Sequence, residues 1–125
     1  MKQKGSLASS FSYALRGIGW AIVHERNIKI HLFFAVIALL ASWLLKISVQ
    51  ELALILIVIF FVLAAEMVNT ALEQVVDLTV GERYHELAKN AKDTAAGAVL
   101  LTAICSISIG VLIFLPKIFR LLGGN

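Results

Sequence analysis

One proline and one cysteine stand in 125 residues, and each scarcity closes off a class of structure. The lone Cys105 allows no intrachain disulfide, which excludes a small stapled scaffold; it reads as packing inside a span. Pro116, near the C-terminus, leaves every upstream helical segment unbroken. Charge is scarce too. Charged residues make up 15% and hydrophobic residues 60%, whereas soluble domains hold about 45–50% apolar residues. With a mean hydropathy of +0.91, the chain reads as a single-domain, all-α integral membrane protein. No internal repeat or low-complexity tract occurs. No continuous apolar core precedes Ile30 and no small-residue cleavage pattern follows, so the N-terminal segment does not read as a cleavable signal.

What is present is three segments long enough to span. An uncharged stretch covers Leu32–Leu45, Leu52–Ala65 has no polar side chain, and Thr94–Pro116 carries no charge. A spanning helix needs about 20 residues, so the first two runs suffice only with their polar-decorated ends included. Those ends must then be shielded by other helices. The expected spans are 28–47, 50–78 and 88–120. A surface helix is expected over 6–26, where Phe11, Leu15, Ile18 and Ile22 recur at helical spacing and Trp20 suits an interface. Such a helix should lie in the membrane plane and cover one mouth of the bundle.

Lys2, Lys4, Arg16, Arg26, Lys29, Arg83, Lys89 and Lys92 fall on one side of these spans. Only Lys46, Lys117 and Arg120 fall on the other. The bias predicts a multi-pass cell-membrane protein with a cytoplasmic N-terminus and second loop and an external C-terminus. The net charge of +3 suits anionic lipid headgroups rather than nucleic acid.

Glu66, Asn69, Thr70, Glu73 and Asp77 interrupt the second apolar run. At about 100° per residue they fall within one stripe roughly 100° wide. Polar groups on a membrane helix are costly to keep and mark a candidate functional site. Glu66 lies deepest, where desolvation suits it to act as a base on a lipid headgroup. Glu73 is about 10 Å further along the same face, wet enough to hold a hard cation such as Mg²⁺ through oxygen. Asn69 can orient either group. Lys92 supplies positive charge for polyphosphate, and Glu25 could complete a metal site. A base, a metal and a cation are what phosphoryl transfer requires.

Other residues read more plainly. Glu82, Glu86, Arg83 and Lys89 are expected to be solvated loop charges, with Gly81 as a turn. Asp77 can cap or pair as well as act. His24 and His31, seven apart, are a weak metal signal. No G-x-x-x-x-G-K-[ST] and no kinase glycine loop occurs, so ATP would bind without a P-loop or protein-kinase fold. The residues alone leave a small membrane enzyme or an ion-coupled transporter open. A transporter calls for polar groups through the full membrane depth, but the outer halves of the spans are nearly featureless. A noncatalytic bundle has no need of Lys92 and Asp93 opposite Glu66 and Glu73.

The string Glu66-x-x-Asn69-Thr70-Ala71-Leu72-Glu73-x-x-Val76-Asp77, followed by Ala91-Lys92-Asp93-x-Ala95-Ala96-Gly97-Ala98-Val99, resembles the signature of the prokaryotic diacylglycerol kinase family. The resemblance covers nearly the whole chain. It implies a homotrimer of three-span subunits with shared active sites, transferring the γ-phosphate of MgATP to a lipid alcohol. It makes Glu66 the general base and Glu25 and Glu73 the Mg²⁺ ligands. Tyr13, Asn69, Asp77, Lys92 and Asp93 fall at nucleotide-site positions, with Arg83, Tyr84 and His85 in a loop one residue longer than in the enterobacterial branch. Glu66, His31 and Ala96 fall at lipid-substrate positions. A family arginine aligns with Ser6, so Lys4 substitutes or that contact is lost. The segment Glu25–His31, with His31 where the enterobacterial branch is acidic, and the tail Ile113–Ile118 resemble the branch that phosphorylates undecaprenol. Diacylglycerol is the alternative acceptor.

Overall fold

The computed structural model describes residues 6–123, and the Lys2 and Lys4 readings lie outside them. Four helices follow in order: α1 (Leu7–His24), α2 (Arg26–Leu44), α3 (Val49–Val80) and α4 (Glu86–Gly123). No strand occurs among the described residues.

Helix boundaries follow from local chemistry. Ser6 opens α1, its side chain accepting from the Ser9 amide. At Glu25 the backbone becomes extended (φ −94°, ψ 118°), which separates α1 from α2, and the Glu25 side chain makes no capping bond. The carboxylate at this joint is therefore not consumed by the helix end. A tight turn joins α2 to α3, with Lys46 in the left-handed region at φ 49°. Ser48 then forms a capping box. Its hydroxyl accepts from the Glu51 amide at 3.2 Å, and Glu51 Oε2 accepts from the Ser48 amide at 2.7 Å, satisfying two otherwise orphaned donors. Glu51 Oε2 also accepts from Lys117 Nζ at 3.0 Å, which clasps α4 to this turn.

α3 ends at Gly81, whose φ of 60° and ψ of −136° suit a residue without Cβ. Thr79 is still helical, its hydroxyl bonded to the Val75 carbonyl at 2.7 Å. The connection expected over Thr79–Leu87 thus shortens to residues 81–85, because helix propagation outlasts the apolar run.

Three helices, α2, α3 and α4, are long and apolar enough to cross a membrane. At 1.5 Å per residue they measure about 28, 48 and 57 Å, against a hydrocarbon core of about 30 Å. α4 packs chiefly along α3, and α2 packs on α3 with little contact to α4. Few side chains are buried. Ala35, Ile55, Val62, Val99 and Ile113 form a thin core, while Phe33, Phe34, Phe60, Phe61, Leu101 and Leu112 face outward. That inside-out distribution suits lipid as solvent, where helices gain little from hiding leucine and associate through close packing and interhelical hydrogen bonds. Ser106 supplies one such bond: its hydroxyl reaches the Val58 carbonyl of α3 at 3.4 Å and the Thr102 carbonyl at 2.9 Å.

α1 touches α2 and, more lightly, α3. Only Ala21 of this helix is buried, and Phe11, Leu15, Ile18 and Ile22 are all exposed. Its apolar stripe faces outward, the direction in which a helix lying in the membrane plane meets lipid.

Candidate functional site

The polar stripe of α3 is graded in burial. Glu66 is 3% exposed, Asn69 and Thr70 are buried, Glu73 is half-buried and Asp77 is exposed. Toward Val80 the stripe keeps α4 beside it, whereas α2, which begins at Arg26, meets it at Glu66 through His31. His31 of α2 makes the nearest contact, with Nε2 3.2 Å from Glu66 Oε1. An enclosed carboxylate needs such a partner, since burying an unpaired charge is prohibitive.

One turn on, Asn69 Nδ2 donates to Glu73 Oε1 at 3.1 Å. Asn69 Oδ1 is buried with no partner among the described residues. Most buried polar atoms are satisfied, so this oxygen is an acceptor held ready for a donor. It borders a groove of about 690 Å³ between α3 and α4, lined by Phe61, Ala65, Leu72, Ala91 and Ala95.

Beyond Glu73 the stripe opens into a cavity of about 320 Å³ where α3, the 81–85 loop and α4 meet. Asp77, Arg83, Tyr84, His85, Lys92 and Asp93 all line it. Lys92 Nζ donates to Asp77 Oδ1 at 2.9 Å, bridging the two helices across the loop. Lys89 pairs with Asp93 in an exposed i,i+4 contact and lines the cavity; it is a solvated charge as expected, on the first turns of α4 rather than in the loop. The hollow is mixed in charge: Arg83, Lys89 and Lys92 share it with Asp77 and Asp93, a balance that stays one positive charge in favour of phosphate.

The remaining candidates lie apart. Tyr13 is exposed on α1, its ring beneath the Arg16 guanidinium at 5.5 Å. Glu25 is half-buried at the α1–α2 joint. Ala96 is exposed on α4 and lines neither the cavity nor the groove. Lys4 lies outside the described residues, and the aligned Ser6 is engaged in capping α1. His24 stacks on Trp20 at 4.7 Å and bonds its backbone carbonyl, which removes it from any site with His31.

Among the described residues, no cluster of three or more His, Cys, Asp or Glu could hold a metal. The donor set still fits Mg²⁺. That ion keeps most of its water and is bound by one or two carboxylates together with substrate phosphates, and Glu73 and the uncapped Glu25 are hard oxygen donors of that kind.

An apolar cavity of about 290 Å³ runs between α2, α3 and α4 from His31 past Ala35, Ile55 and Val62 to Phe114. The sequence named His31 and Glu66 separately, but not their contact. Thirty-five residues separate His31 from Glu66, and only the α2–α3 hairpin brings them level.

Comparison with known proteins gives these positions a family. Residues 12–114 match the model for prokaryotic diacylglycerol kinase. A diacylglycerol kinase of Synechocystis is 45% identical over 117 residues, covering 94% of this chain and 67% of that one. The undecaprenol kinase of Bacillus subtilis is 43% identical over 109 residues, covering 87% and 88%. The diacylglycerol kinase of Escherichia coli K12 is 28% identical over 95 residues, covering 76% and 77%. Relatives named for either acceptor thus match well, and the undecaprenol branch expected from His31 is not singled out.

Proposed function

The chain belongs to the prokaryotic diacylglycerol kinase family and is a lipid kinase; from that premise we propose that it transfers the γ-phosphate of MgATP to the primary alcohol of diacylglycerol, giving phosphatidic acid. The higher identity to a kinase named for diacylglycerol favours that acceptor. Undecaprenol is the second reading, carried by the Bacillus relative, whose length this chain matches more fully.

The observation that carries the mechanism is the graded stripe on α3, from an enclosed carboxylate to a cation-lined cavity. Glu66, enclosed and bonded to His31 where the apolar slot ends, is the general base for the lipid hydroxyl. Lys92, with Arg83 and Lys89 beside it, neutralises polyphosphate charge. Tyr84, His85, Tyr13, Asp77 and Asp93 complete the nucleotide site, and Ala96 and His31 border the lipid. Glu73 and Glu25 would hold Mg²⁺, which supplies charge neutralisation on the transferring phosphate. Asn69 orients Glu73 through its amide N–H and offers Oδ1 to a donor.

Glu66 and Asp77 are about 16 Å apart along α3. A single subunit thus presents its base and its cationic cavity at separate levels, with Tyr13 and Ala96 away from both. We take the working unit to be a homotrimer of single-domain subunits in the cell membrane, with shared sites on the cytoplasmic side and the C-terminus outside. The test is turnover of purified protein in mixed micelles with MgATP, diacylglycerol and undecaprenol run side by side. Faster phosphorylation of diacylglycerol is expected. A clear preference for undecaprenol reverses the acceptor assignment, and no product from either lipid overturns the proposed reaction.

A further inference from the structure

Glu66 has two carboxylate oxygens, and among the described residues only Oε1 is engaged, by His31 Nε2 at 3.2 Å. An ionised carboxylate accepts hydrogen bonds and cannot donate them. With Glu66 ionised, as a proton acceptor has to be, the ring nitrogen facing it carries the hydrogen. Glu66 is almost fully enclosed while His31 keeps a quarter of its side chain accessible. The contact is thus made at the edge of the site, between two spans. The terminal torsion of a glutamate is broad and nearly two-fold, so a carboxylate with no partner would turn freely about it.

Resting on the reading of Glu66 as the base, we infer that His31 is a positioning residue. Its Nε2–H pins Oε1 and leaves Oε2 turned toward the lipid hydroxyl. The hydroxyl proton passes to Oε2 as the lipid oxygen forms its bond to the γ-phosphorus. The bond from that phosphorus to the β,γ-bridging oxygen breaks, and its electron pair leaves with ADP. His31 neither gains nor loses a proton in this step.

A second observation supports the assignment. His31 also lines the apolar cavity between the three spans, where Ser106 is the only other polar side chain. A lipid tail lying in that slot would bring its headgroup end to His31, and so to the free oxygen of Glu66. The same imidazole then marks where the apolar slot stops and orients the group that receives the proton.

The test measures kcat and KM for His31→Ala, His31→Leu and His31→Gln, each alone and combined with Glu66→Gln. A hydrogen bond to a charged group of this kind corresponds to a rate effect of about 10- to 100-fold. Ala and Leu should lower kcat by that factor and leave the KM for ATP within about twofold. Gln, whose amide can donate, should recover most of the rate. In the Glu66→Gln background, changing His31 should not reduce the residual rate further, because His31 acts through that carboxylate. The inference is overturned if Ala or Leu keeps kcat near wild type, if Gln is as slow as Leu, or if the losses multiply in the double variants. If the Leu variant does not fold in detergent, the Ala–Gln contrast and the double variants decide. Full activity of Glu66→Gln by itself would instead remove the base assignment. An inactive Glu66→Gln beside a normal His31→Ala would remove only the positioning role.

Discussion

At the scale of single residues, the stripe on α3 divides its labour by depth. Removing a general base typically costs 10²- to 10⁴-fold. Glu66→Gln, which keeps the shape and a hydrogen bond to His31, should lose about that much in kcat while binding ATP normally, as read by steady-state kinetics and nucleotide titration. Asn69→Ala has a different signature. It removes the N–H that bonds Glu73 at 3.1 Å, so the Mg²⁺ concentration for half-maximal rate should rise severalfold, while the lipid KM stays unchanged. Lys92→Met should raise the KM for ATP, and Asp77→Asn should do so less, because Lys92 keeps its charge when its partner at 2.9 Å is neutralised. Equal effects of the two substitutions would make the pair a structural strut.

The order of burial along this stripe was legible in the sequence. Helical phase and the end of the apolar run at Ala65 are enough to rank Glu66, Glu73 and Asp77. The partners were not. His31 reaches Glu66 across 35 residues and Lys92 reaches Asp77 across 15. Such contacts depend on the register of two helix hairpins, which no local pattern encodes. Lys89 is the exposed charge expected, though α4 already holds it, because the connection before that helix is short.

At the scale of elements, helix ends hold the arrangement. The Ser48–Glu51 capping box starts α3 and, through Lys117, ties down α4. Ser48→Ala should lower stability by about 0.5–2 kcal/mol, visible as a lower unfolding midpoint in detergent with kinetic constants unchanged. Gly81 ends α3 with φ 60° and nothing near where a Cβ would point, so Gly81→Val meets backbone strain alone, about 1–3 kcal/mol. Since the adjoining loop lines the cationic cavity, this variant should raise the KM for ATP and spare that for lipid. The three long helices follow from run lengths and the absence of proline before residue 116. The joint between surface helix and first span, expected at residues 26–28, falls at Glu25.

At the scale of the whole molecule, one chain leaves much unfinished. The α1 stripe faces outward and, among the described residues, Asn69 Oδ1 lacks a partner and Tyr13, Glu25 and Ala96 do not line the cavity. In the proposed trimer, neighbours complete these positions. Crosslinking in native membranes should then give a ladder ending at three subunits. Co-expressing Glu66→Gln with Lys92→Met should restore some activity if base and cation come from different chains. No recovery would place both in the same chain.

α3 carries Glu66, Glu73 and Asp77 on one uninterrupted helix with no hinge between them. Such a rod behaves like a reading frame. Inserting one alanine after Val68 would swing Glu73 and Asp77 by about 100° relative to Glu66, silencing the protein without touching any of the three. Seven inserted residues would bring the face back within about 20° yet lift the cavity by about 10 Å. Length and phase on this helix can therefore be varied independently. The spacing from Glu66 to Asp77 should thus be far less tolerant of insertion and deletion than the loop that follows it.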